Sequence, residues 1–494
     1  HNVSIIGHGL IDGHNLSHGQ QPSTKPTTQK SILRRFGTTR HSSTRPTTRR
    51  SHGHRHRHRY DSGETRPSTQ ASTQPSDDDI DVVDVPPGDP ANLDTADYGT
   101  VLIPKPPSTQ PTTQPATKPA FEYPNDKDTL PAGVGNKSIA LKNCNDVIIR
   151  DISIVNGGHF AILATGVNGL TIDDVKLDTD RDGMDIDSCQ NVRVSNCTVN
   201  SPDDDGICLK TSLGLGTTRP TENVTISNCL VTGGYQIGSV IDGTFKKFTS
   251  LYADPQAKHM SRTGRIKFGT ESNGDYKNIT ISNCVFDDCS GLALESVDGA
   301  IIENVTISNI SMRNIDTLPI FIRLGDRLRG PKDTTTVGAI RHIIISNVVA
   351  TNAASHFACL ICGIPGHPIE DVSISNVKLY FPGGGTTAMA TTRPIEKEDQ
   401  YPEPTMFGTL PAWGFYVRHV DLLQMDHVDL VAKKPDTRPA FMLIDVKDAQ
   451  FDHVRVNTKP GVPTFIIDGV GHISMDHFQG EPDMDRYPTT QQSF

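Results

Sequence analysis

Polar and apolar residues alternate with a period of two through a short motif that returns along the chain. It reads NDVIIRDI at 145, NGLTIDDV at 168, QNVRVSNC at 190, ENVTISNC at 222, KNITISNC at 277, ENVTISNI at 303, RHIIISNV at 341 and EDVSISNV at 370. HNVSIIGH at position 1 belongs to the same series. Such alternation predicts strands with one buried face. The intervals are 23, 22, 32, 55, 26, 38 and 29 residues, so the shortest unit is near 22 and the longer gaps carry loops. Short strands recurring at this period, with little helical pattern between them, predict an all-β parallel solenoid. A β-sandwich also supplies short strands, but its consecutive strands are antiparallel and need no common phase. Asn196, Asn228, Asn283, Asn309, Asn347 and Asn376 all fall at one motif position. Stacked coils would align them into a ladder of side-chain amides.

This pattern divides the chain. Residues 1–15 hold a first strand, 126–480 the solenoid, and 481–494 a disordered tail. Residues 16–125 are dominated by Thr, Pro, Ser, Gln and Arg, a composition that does not offset the entropy of ordering and predicts a disordered insertion. The chain begins with His, directly in a strand-like stretch, and is read as lacking its natural N-terminus; a missing signal peptide therefore says nothing about export.

Charge sharpens the division. Of a net −10 over 494 residues, the stretch 17–75 holds 12 Arg/Lys against 2 Asp/Glu, leaving −20 on the remainder. An acidic body argues against nucleic acid as a partner. No run of 18 apolar residues occurs, so no membrane span is expected. Within the basic stretch, 52-HGHRHRHRY-60 reads as a solvated tract, since its interleaved arginines repel cations. Nine cysteines show no disulfide-scaffold spacing and leave the redox compartment open. Cys144, Cys197, Cys229 and Cys284 close strand motifs as small core fillers, and the lone Cys359/Cys362 CxxC lies in an apolar run.

Candidate chemistry gathers around 201-SPDDDGICLKTS-212. Residues one coil apart in a solenoid lie about 4.8 Å from each other. One 22-residue coil back from Asp204 is Asp182, within 178-DTDRDGMDID-187. Crowded carboxylates push their pKa values apart, supplying the protonated and ionised pair that glycoside hydrolysis needs. The alternatives are Asp-rich turns or a calcium site. The segment DTDRDG matches half of an EF-hand loop, but Cys189 stands where its closing Glu belongs and the flanks are strand-like. In 264-GRIKFGTESNG-274, Arg265 and Lys267 flank Ile266 and point outward together, as a site for an anionic ligand or as an ordinary solvated face. Arg323, Arg327 and Arg329 in 321-FIRLGDRLRGPK-332 extend a uronate-binding groove or pair with Asp326.

These residues resemble glycoside hydrolase family 28, the polygalacturonase and rhamnogalacturonan hydrolase group, from about Asn136 to the early 400s. The family's Asn-Thr-Asp motif resembles 180-DRD-182 with only the final Asp kept, its Asp-Asp pair resembles Asp204-Asp205, and its Arg-Ile-Lys is intact at 265-RIK-267. An ungapped count from Asp182 favours Asp203-Asp204 as the pair; alignment on Ile207, Leu209 and Lys210 favours Asp204-Asp205, which is adopted. Both acids then face one groove only if the segment is a turn or bulge, with which Pro202 is compatible. The family's Gly-His-Gly is missing: Gly233, Gly234 and Tyr235 stand where its His is expected.

The resemblance implies a right-handed parallel β-helix that cleaves galacturonate-containing pectic polysaccharide with inversion, without a metal or other cofactor. It implies Asp204 as general acid, Asp182 and Asp205 holding and deprotonating the water, and Arg265 and Lys267 binding the galacturonate carboxylate. The missing His shifts the expected substrate toward rhamnogalacturonan-type or exo-acting cleavage. A secreted or periplasmic monomer is expected. Two other functions compete: a lyase on the same solenoid, and a non-catalytic polysaccharide-binding solenoid.

Overall fold

The computed structural model describes residues 3–13, 16, 136–248, 262–354, 357–488 and 490–494. These lie in one unit, His1–Gln20 with Pro87–Phe494; a second unit, Gln21–Pro86, falls outside the described residues. So does nearly all of the stretch 16–125, including the histidines of 52–60.

Each repeat motif pairs in parallel with the next. Asn145 pairs with Asn168, Asn168 with Gln190, Gln190 with Glu222, Glu222 with Lys277, Lys277 with Glu303 and Glu303 with Arg341. The chain therefore winds as coils, and after the 55-residue interval it rejoins the same register. Three parallel faces run the length of the helix. One begins at strand Lys137–Lys142 and runs through Phe160–Thr165, Asp182–Asp187, Ile207–Thr211, Ile266–Ser272 and Leu292–Ser296 to Phe465–Asp468. The second carries the repeat motifs, and the third holds short strands such as Thr198–Asn200. The fold is a right-handed parallel β-helix.

Its interior is filled by the inward residue of each alternating pair: Met184, Ile186, Ile207, Leu209, Ile266, Phe268, Leu292 and Leu294 on the first face are all in one core with the isoleucines and valines of the second. Corners are turned by residues in the left-handed region. Asn196, Asn228, Asn283, Asn309, Asn347 and Asn376 have φ between 52° and 58°, where Asn is among the few non-glycine residues tolerated. Their amides form the expected ladder, Nδ2 of each donating to Oδ1 of the one before, at 2.7–3.3 Å. A second ladder, Asn191, Asn223, Asn278 and Asn304, runs along another corner and was not foreseen. The nine cysteines are all free, and Cys197, Cys229 and Cys284 are buried.

At the N-terminal end, Val3–Ile6 and Leu10–Asp12 pair with the coil at 147–155. The expected disordered tail at 481–494 is corrected. Met484–Arg486 and Gln492–Ser493 form antiparallel strands on the last coil, and Met484 and Phe494 pack on the core. A solenoid's final coil exposes its apolar interior, and this tail covers it.

The first face changes character along its length. The segment between 384 and 414 contains the one helix among the described residues, Thr387–Ala390, and folds back over the outer surface. There Met406, Phe407 and Leu410 pack on Phe321, Leu360 and Tyr416. Nearer the N-terminus the same outer surface carries charged residues.

Asn309 tests the ladder: it donates to Asn283 and accepts from Asn347, both at 3.0 Å. Asn309→Ala should cost about 2 kcal/mol from two lost amide bonds and left-handed strain, and Asn309→Gly about 1 kcal/mol, since glycine removes the strain alone. Urea unfolding of both variants measures the difference.

Candidate active site

Asp182, Asp204 and Asp205 meet on the outer surface of the first face. One carboxylate oxygen from each lies within 4.8 Å of the other two. Register brings them together: Met184 pairs with Ile207, and the Gly183 amide donates to the Asp205 carbonyl at 2.9 Å. The coil between them is thus 23 residues, one more than the shortest unit. Residues 201–206 form a turn before strand Ile207–Thr211. Ser201 Oγ fastens that turn by donating to the Arg181 carbonyl, and the Gly264 amide donates to the Asp204 carbonyl at 2.8 Å. Strand alternation is suspended there, so neighbouring acids share one side.

The acids sit in different fields. Burial, then the like charges of Asp185 and Asp204, hold Asp182 well above the usual carboxylate range, against an opposing pull from Lys210 at 3.9 Å. Asp205 is also buried, but Lys267 and Arg265 overcome the desolvation and hold it at about 2. Arg265 Nε lies 2.8 Å and Lys267 Nζ 3.2 Å from its oxygens. Asp204 is the most exposed of the three, at 27%, and faces the Arg181 guanidinium at 2.6 Å. One carboxyl disposed to keep a proton thus stands beside one that stays ionised.

Arg265 and Lys267 point outward from their strand as expected, yet both side chains are only 3% exposed. Their charge is engaged by Asp205 and by fully buried Glu295, whose carboxylate lies 3.5 Å from Lys267 Nζ. Burial pushes Glu295 up to about 7 despite the two cations. Arg323 does not reach the groove. Its guanidinium is buried and donates to the carbonyls of Gly363, Glu396 and Lys397, because the 384–414 segment lies on top of it. Arg327 instead forms an ion pair with Asp298, and its guanidinium stacks 5.5 Å from the Tyr401 ring.

Several participants escaped the sequence reading. Lys210 Nζ lies 2.6 Å from Asp185 and 3.6 Å from Glu271, making a second buried ion cluster beside Asp182. Asp185 is pushed up to about 7 by burial, while Glu271, half-buried, is held at about 2 by Lys210 and Arg327 against its desolvation. With Met184 and Ile186 inward, the alternation DGMDID placed Asp185 outward, which was the available signal. Tyr401, from the overlying segment, accepts a hydrogen bond from Thr270 at 2.6 Å and lies over Lys267 at 5.6 Å. No local pattern could have placed it. Tyr235, standing where the family histidine is expected, donates its hydroxyl proton to Asp287 at 3.2 Å.

As for a cation, Asp178 accepts from Asn200 and from the Val240 amide, both at 2.8 Å, so it turns away from Asp182 and no EF-type loop forms. The trio has the spacing of an oxygen-donor site, but Arg181, Arg265 and Lys267 already oppose its charge.

A family model described as "Right handed beta helix region" matches residues 130–253. Solved structures of similar fold include a hyperthermoactive exopolygalacturonase from Thermotoga maritima, at 14% identity and a TM-score of 0.41, covering 73% of this chain and 59% of that one. Another is a family 28 exopolygalacturonase from Yersinia enterocolitica, at 15% identity and a TM-score of 0.40, covering 61% of this chain and 46% of that one. This chain thus spans about half the length of those proteins, and the likeness is one of fold. Among curated protein sequences no match is found.

The depressed Asp205 has a consequence for acid stability. A carboxylate at about 2 when folded and near 3.8 when unfolded binds fewer protons in the native state between those values. Its ion pairs contribute about 2 kcal/mol above pH 4, a contribution lost as pH falls toward 2. Thermal melts from pH 5 to pH 2 should show this decline, and Asp205→Asn should be less stable at pH 5 and flatter below pH 4. An unchanged pH dependence would contradict the assignment.

Proposed function

We propose that the chain is a glycoside hydrolase acting on galacturonate-containing pectic polysaccharide, with rhamnogalacturonan-type or exo-polygalacturonase-like specificity. The observation carrying this reading is the convergence of Asp182, Asp204 and Asp205 within 4.8 Å on the outward side of the first face. Asp204, the exposed member, donates the proton to the glycosidic oxygen. Asp182, pushed well above the usual carboxylate range by burial and by Asp185 and Asp204, is disposed to keep a proton beside it. Asp205, ionised, orients the attacking water.

Arg265 and Lys267 supply the uronate recognition. Asp205 offsets one of the two cations, and Glu295, pushed up to about 7, offsets the other less as pH falls below that value, which leaves positive charge for a substrate carboxylate. A second reading, a polysaccharide-binding solenoid without turnover, is favoured by the Arg181–Asp204 ion pair at 2.6 Å, which occupies the proposed acid.

Incubation with homogalacturonan and with rhamnogalacturonan, followed by reducing-end assay and product mass analysis, separates these readings. Hydrolysis leaves a saturated product with a new reducing end, a lyase leaves an ultraviolet-absorbing one, and a binding module leaves neither. Asp204→Asn should lower turnover by about 10²–10⁴-fold with the fold intact; near-wild-type turnover would remove Asp204 from its role.

Stereochemistry is an independent check. The trio is tighter than the 6.5–9.5 Å carboxyl separation common among inverting enzymes. Yet Asp205, pinned by two cations, is a poor nucleophile, and water is the better attacker. Proton NMR of the first product should therefore show the anomer opposite to the substrate linkage, and retention would overturn the water-attack scheme.

A further inference from the structure

The corner column that carries the asparagine ladder changes chemistry at its C-terminal end. In six coils the corner is a Ser-Asn pair: Ser195-Asn196, Ser227-Asn228, Ser282-Asn283, Ser308-Asn309, Ser346-Asn347 and Ser375-Asn376. In the last three coils the register-equivalent pair is Asp426-His427, Asp452-His453 and Asp476-His477. The backbone does not require the exchange, for these histidines keep the same left-handed conformation, with φ of 52°, 50° and 51°. Both residues change together, three times in succession, from a neutral pair to a pair of metal-ligand types.

The side chains line up accordingly. The His427 and His453 rings stack at 4.6 Å and 5°, and those of His453 and His477 at 4.5 Å and 16°. His427 Nδ1 lies 2.6 Å from Asp426, His453 Nδ1 2.6 Å from Asp452, and His477 Nδ1 3.1 Å from Asp476. Each carboxylate thus lies against the Nδ1 edge of its neighbouring ring, presenting an oxygen and an imidazole nitrogen side by side. One donor atom from each of Asp426, His427 and His453 lies within 4.8 Å of the other two, and the same holds for Asp452, His453 and His477. Beside them is a surface cavity of about 630 Å³ whose lining includes Asp426, Asp452, Asp476, Asp483 and Asp485, which gives the corner a negative field.

We propose that this Asp-His column binds a divalent transition ion of the zinc type, centred on His453. Mixed imidazole and carboxylate donors suit zinc, nickel or copper rather than calcium or magnesium. Donors about 2.0–2.2 Å from one ion lie within about 4 Å of each other, so the side chains must close by roughly an ångström. The three histidines are 45–62% exposed and free to move that far. Since His453 belongs to both donor sets, a single substitution removes both.

The test is zinc titration of the full chain, by calorimetry and equilibrium dialysis, against His453→Asn, which restores the residue of the earlier coils. The wild type should take up at least one more equivalent of Zn²⁺ than the variant, and saturating Zn²⁺ should raise its melting temperature but not the variant's, because the site exists only in the folded coils. Binding at the histidines of 52–60 is common to both proteins and cancels. Ca²⁺ should produce neither difference. Should His453→Asn fold poorly by circular dichroism, the double variant His427→Asn/His477→Asn breaks both sets with His453 retained and should lose the same equivalent. Equal zinc stoichiometry and equal melting shifts in wild type and variant would overturn the proposal.

Discussion

In-register parallel pairing between successive coils is the constraint on which the rest depends. A slip of one residue would turn every inward Ile, Val and Leu outward, so the apolar pattern and the hydrogen bonds select the same register. Amide ladders at two corners add side-chain bonds that hold only if equivalent residues stack. Once that register is set, the positions of charged side chains on the outer surface follow from it. Asp182 and Asp205 lie one coil apart, and Arg265 and Lys267 come one coil further on.

Buried charge on that surface is tolerated because it is alternated. Lys210 stands among Asp182, Asp185 and Glu271, and Arg265 and Lys267 stand between Asp205 and Glu295. Each ion is desolvated at a cost of several kcal/mol, recovered only where opposite charges face it closely. The uneven outcome is what gives the site its chemistry. Asp205 lies against two cations, shared with Glu295, and is held down at about 2, whereas Asp182 shares Lys210 with two other acids and is pushed well above the usual carboxylate range.

What could be seen in the sequence was mostly whatever repeats. The solenoid and the first ladder follow from period two, a common phase and a coil length; the Asp204-Asp205 pair also needed alignment on Ile207, Leu209 and Lys210, because its coil is one residue longer than the shortest unit. What could not be seen depends on parts that do not repeat. Tyr401 reaches Lys267 and Thr270 because a segment more than 130 residues downstream folds back over the face, and that same segment converts Arg323 from a groove residue into a buried clamp. Arg265 and Lys267 looked solvated because an outward position on a strand usually is, and only the neighbouring Glu295 and overlying segment remove the water. The polar stretch EPDMDRYPTTQQSF gave no strand signal, yet Met484 and Phe494 in and beside it close the last coil.

The spacing between Thr232 and Ile266 shows how far chain length and spatial adjacency are uncoupled in this architecture. Glu222 and Lys277 are neighbours although 55 residues separate them, just as Asn168 and Gln190 are neighbours across 22. A coil's corner can therefore lengthen without moving the strands on either side. The surroundings of the acids can be rebuilt by insertion while the acids themselves keep their stations, so that one scaffold can carry outer surfaces of many shapes.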